Sequence, residues 1–150
     1  RRGPVGRVCG PVRGALAAEA RAARGRMAEV RRAVGLLAVT SADRPHAGWS
    51  AGQRARERGL VHARSNIERL LEDVPPHCGI VSVIDGHPAA LGWFGSVRGH
   101  RVEALGVETF GQTGTIGDLY RHHGMDANAI IDAAESLTVG APVRPRKTAA

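Results

Sequence analysis

At 150 residues the chain fits one domain with room for a real core. With 43% apolar but only 3% aromatic residues, that core must be built from Ala, Val, Leu and Ile. No apolar run approaches the ~18 residues of a membrane span, and the arginine-rich start lacks the apolar stretch of a secretory signal. Two cysteines, Cys9 and Cys78, are too few for a disulfide framework and read as reduced thiols of a cytoplasmic protein. The net charge of +7 is confined to residues 1–35, which hold nine Arg and two acids, Glu19 and Glu29. Residues 36–150 are balanced, so a basic polyanion-binding function would rest on the first 35 residues alone. Nucleic acid is not the expected partner.

Residues 1–14, with four Gly and two Pro, read as a disordered basic segment. Ala15 to Arg32 are strong helix formers with apolar residues interspersed, which predicts an amphipathic helix closed by Gly35. Leu36 to Thr40 reads as a buried strand, and Ser41 to Ser50, with Asp43, Pro45 and Gly48, as a loop. Ala51 to Arg58 is a helix stopped by Gly59. Ser65, with Glu68 three positions on, forms a capping box for a helix to about Glu72, ended by Pro75-Pro76. Gly79 to Ile84 is the clearest strand, followed by an Asp85-Gly86 turn and a helix from Ala89 to Val97 entered at Pro88. Val102 to Val107 is a third strand. Thr115 caps a helix from Ile116 to His123 with Gly124 beyond its end, and Asp126 caps the last helix, Ala127 to Leu137. The tail 139–150 reads as disordered.

Strands alternating with helices predict an α/β fold, a three-layer sandwich on a small, mostly parallel sheet. The stretch from Arg101 to Ile131 is the most specific: a strand, a Phe110-Gly111-Gln112-Thr113-Gly114 loop, then Leu119-Tyr120 and Gly124-Met125-Asp126-Ala127. With Leu36–Asp43 and His77–Pro88 it resembles the C-terminal domain of the transketolase family of thiamine-diphosphate enzymes. Within the family it looks most like the homodimeric first component of pyruvate dehydrogenase. The resemblance runs from about Val34 to about Leu137 and implies a transketolase C-terminal-domain-like unit over 15–138. The first strand of that domain is not recognisable in residues 1–14.

The family's Gly-Asp-Gly segment for magnesium diphosphate and its activating glutamate are absent, since they belong to other domains. The resemblance therefore implies a fragment of an oxidoreductase that holds no cofactor itself. Its parent would bind thiamine diphosphate and magnesium. Its partners would be the remaining domains, a second copy in a homodimer, and a lipoyl acyltransferase. The Gly111 and Gly114 turn reads as structural, with Phe110 plugging the sheet edge and Leu119 and Tyr120 facing the core.

Candidate chemistry is sparse. Asp85 and His87 flank a turn at a strand's C-terminal end, where open α/β sheets place ligands, and would suit an acid–base pair or an Asx turn. Gly111, Thr113, Gly114 and Thr115 precede a helix and would cradle an anion or simply turn the chain; the Walker Lys is missing. Together these two ends suit a stand-alone module for an anionic metabolite. His122 and His123 lie about 100° apart on a helix and do not suit one metal. Ser41 and Ser50 lack a nucleophile-elbow pattern. Cys78 reads as buried, and Trp49, Trp93 and Phe94 as core or interface anchors.

Overall fold

The computed structural model describes residues 8–12, 16–30 and 34–139. Four parallel strands, β1 (Val8–Val12), β2 (Val34–Ala38), β3 (Ile80–Val83) and β4 (Val102–Leu105), form one sheet in the order β2-β1-β3-β4. The register pairs Val8 with Val34, Val12 with both Ala38 and Val83, and Ile80 with Val102. The helices are α1 (Ala17–Glu29), α2 (Asp43–Glu57), α3 (Asn66–Leu70), α4 (Ala89–Gly92), α5 (Phe94–Arg98), α6 (Ile116–His122) and α7 (Ala127–Val139).

The sheet steps one way from β1 to β2, then back across β1 to β3 and on to β4. Crossovers of a single hand then put α1 on one face and α2–α5 on the other. The core divides accordingly. On one face Leu16, Ala20, Ala23 and Met27 of the α1 stripe meet Ile130, Ala133, Ala134 and Leu137 of α7 across Val81 and Val83. On the other, Ile67, Leu71, Leu91 and Phe94 cover Ile80 and Ile84. Strand β3 thus sends alternate side chains to opposite layers and is buried throughout, as a parallel strand between two helical layers must be. The three-layer sandwich expected from the sequence is the fold found.

Small residues allow the layers to close. A Cβ at Gly79 would lie 2.5 Å from that of Leu137, so α7 sits on the sheet only because residue 79 has no side chain. Buried His100 joins the two strand starts, its Nδ1 donating to the Cys78 carbonyl at 3.0 Å.

Four expectations need correction. The segment 1–14 contains the first strand, β1, where disorder and a missing strand were expected; residues 1–7 and 13–15 lie outside the described residues, as does the tail from 140. Gly10 and Pro11 argue against a strand locally, and it is the ladders on both sides that hold the segment extended. The expected loop at 41–50 is mostly the start of α2. Pro45 is tolerated there because an amide in the first turn has no carbonyl to meet. The helix expected over 89–97 is two short ones meeting at Trp93. Phe110 plugs nothing: it is 94% exposed.

Candidate functional site

The ends of β3 and β4 carry the residues singled out by sequence. Beyond β3, Ile84 N–H donates to the Leu105 carbonyl at 3.1 Å, and beyond β4, Val107 N–H donates to the Gly86 carbonyl at 2.7 Å. The Asp85–His87 turn and the root of the Phe110 loop are therefore joined through backbone. Gly106 makes the junction possible, because a Cβ there would collide with the Gly86 carbonyl oxygen and stand 2.9 Å from Pro88 N.

Within that frame the side chains do not converge. Asp85 and His87 are both exposed and no hydrogen bond joins them among the described residues. His87 Nδ1 instead accepts from Ala89 N–H at 3.2 Å, finishing the start of α4. Every residue from Glu108 to Asp118 is exposed, including Gly111, Thr113, Gly114 and Thr115. Gly111 takes φ +104°, the left-handed turn expected of it.

Thr115 is the expected cap. Its Oγ1 accepts from Asp118 N–H at 3.3 Å and donates to Asp118 Oδ2 at 2.6 Å, while Arg121 holds Oδ1 at 2.5 Å. The hydrogen bonds from Thr115 and Arg121 hold the Asp118 carboxyl below the usual range. An anion approaching this helix start would meet a carboxylate already in place.

Behind the loop, Tyr120 is half-buried against the α1–α7 layer. Burial, then the negative charges of Asp85 and Glu19, push its hydroxyl above its ordinary value. Glu19 was missed by sequence reasoning: its Oε2 accepts from Ala127 N–H at 2.9 Å, beside Asp126 Oδ1, which accepts from Ala129 N–H at 3.0 Å. The start of α7 is thus capped by two carboxylates, one reaching across from another helix. His122 and His123 stack edge to face, centroids 4.9 Å apart. No group of three or more His, Cys, Asp or Glu among the described residues is placed to hold a metal ion. No helix there is long and apolar enough to cross a membrane.

A second feature lies at the end of β2, in a stretch where the sequence offered no candidate site residue. A cleft of about 340 Å³ opens between the strand end, α2 and α3, lined by Thr40, Ser41, Arg44 and Asn66 among apolar residues. The sequence signal for it was weak, because residues 41–50 read as a loop.

No family model matches the sequence, and no curated protein matches it. Among solved structures the chain is similar to one described as a split-gene transketolase, an inactive β4 tetramer, with TM-score 0.62 and 15% identity. The similarity covers 90% of this chain and 40% of that one, so the chain spans about two fifths of its neighbour's length. At that identity the likeness establishes a shared fold, a small parallel α/β sandwich found within a transketolase.

Proposed function

We propose that this chain is a C-terminal-type domain of a thiamine-diphosphate enzyme, nearest to the pyruvate-dehydrogenase first component, that supplies packing and subunit contacts. The observation that supports this reading is the fold likeness, nearly complete for this chain and partial for the neighbour. The exposed β4–α6 loop is in keeping with it. Phe110 is 94% and Ile116 66% exposed, and α6 buries no residue of its own. Such a surface is suited to cover by other domains or a second subunit.

In this reading thiamine diphosphate and magnesium belong to the parent's other domains. The described residues offer no acidic cluster for the metal, and Asp118 is committed to Thr115 and Arg121. No catalytic step is assigned to this chain. Its role is to hold the parent's catalytic domains in place, through contacts made by Phe110 and Ile116.

Calorimetry of the purified chain with thiamine diphosphate and magnesium should give no binding heat. Gel filtration with a polypeptide carrying the diphosphate- and pyrimidine-binding domains should show a complex that Phe110→Asp weakens. Cofactor binding by the chain alone, or no complex, overturns the proposal.

A further inference from the structure

The cleft at the end of β2 has the make-up of a small-molecule site, and we propose that it binds a small organic anion, an oxyanion head on an apolar body. Arg44 is its one charged lining residue, and among the described residues Arg44 makes no ion pair. Thr40, Ser41 and Asn66, which carry hydroxyl and amide groups, line the same cleft. Leu37 and Ile67 form the apolar wall. A guanidinium with neighbouring hydroxyl and amide donors recognises carboxylate or phosphate oxygens, and the apolar wall takes the remainder of the ligand. The volume, about 340 Å³, is within the range of metabolite pockets.

Gly48 marks the α2 side of the cleft. It lies inside α2, where glycine costs about 1 kcal/mol relative to alanine, and it lines the cleft. A Cβ there meets nothing within 4 Å, so no close packing demands the glycine. The space beside its Cα is open, on the cleft's α2 side. This inference does not depend on the thiamine-enzyme reading, and it places an anion site at edge strand β2, whereas the Asp85 and Thr115 loops follow β3 and β4.

The test is a titration of the full ¹⁵N-labelled chain with benzoate and with phenyl phosphate, using benzamide as the uncharged control. Saturable amide shifts centred on residues 38–48 and 66–70 are expected with at least one anion and not with benzamide. Which head group binds distinguishes a carboxylate ligand from a phosphate ester. Arg44→Gln should weaken binding about tenfold or more, the loss of a charge-assisted hydrogen bond. Gly48→Leu should also weaken it while leaving thermal melting unchanged or raised. Shifts centred elsewhere, no saturation with either anion, equal binding of benzamide, or wild-type affinity in either variant would overturn the site.

Discussion

The helix starts at Ser65 and Thr115 share one pattern, a hydroxyl residue followed three positions later by an acid, and both work as caps. Their surroundings differ completely. Ser65 is buried; its N–H donates to Glu68 Oε2 at 2.6 Å, and Arg56 of α2 closes on Glu68 at 3.1 Å. The helix it starts sends Ile67 into the core at 2% exposure. Thr115 and Asp118 lie in solvent, and no residue of the helix they start is fully buried, Tyr120 being only half-covered. A cap specifies where a helix begins; packing specifies what the helix is for. One helix is part of this domain's stability, and the other is presented outward.

The comparison can be broken most directly at the first apolar residue after each cap that differs in burial. Ile67→Ala should cost about 2–4 kcal/mol, a fall in Tm of roughly 10 °C or more, since it empties a site in the α2–α5 layer. A loss below about 1 kcal/mol in a urea melt would mean that this layer is not the packed core described. The next effect is a pH dependence at Glu68. Burial opposes its ionisation, but the hydrogen bonds from Ser65 and Arg56 and the Arg56 charge outweigh burial and hold its carboxyl below the ordinary value. A carboxyl lowered on folding stabilises the protein above its unfolded pKa, and that contribution is lost as pH falls through the lower folded value. The stability gap between wild type and Glu68→Gln should therefore be full at neutral pH and shrink through the acid range. A gap independent of pH would sink the assignment. Smallest is Ile116→Ala, which should change the melting of the isolated chain by no more than about 0.5 kcal/mol. A larger loss would show that α6 is packed in solution after all.

Much of this architecture was legible locally. The capping box at Ser65, the buried strand around Ile80–Val83, the Thr115 cap and the left-handed Gly124 (φ +62°) all follow from residue chemistry within a few positions. What was not legible depended on partners distant in sequence. β1 carries Gly10 and Pro11 and is extended because β2 and β3 flank it. Glu19 caps a helix that begins over a hundred residues later. The fate of Phe110 was misjudged because its hydrophobicity says that it seeks cover, not that this chain provides any. The candidate site divides the same way. The Asp85, His87 and Thr115 positions were found by motif but stand apart, whereas Arg44, Thr40 and Asn66 came together only through folding.

The position of β1 has a consequence for the order of assembly. Strands β2 and β3 never touch, so β1, which precedes both in sequence, is the seam between the two halves of the sheet. Val8 can meet Val34 early in synthesis, but Val12 must wait for Val83. Until then one flank of β1 is an open edge, the period in which a nascent chain is most exposed to mispairing. Deleting Val8–Val12 would accordingly part the sheet down its middle.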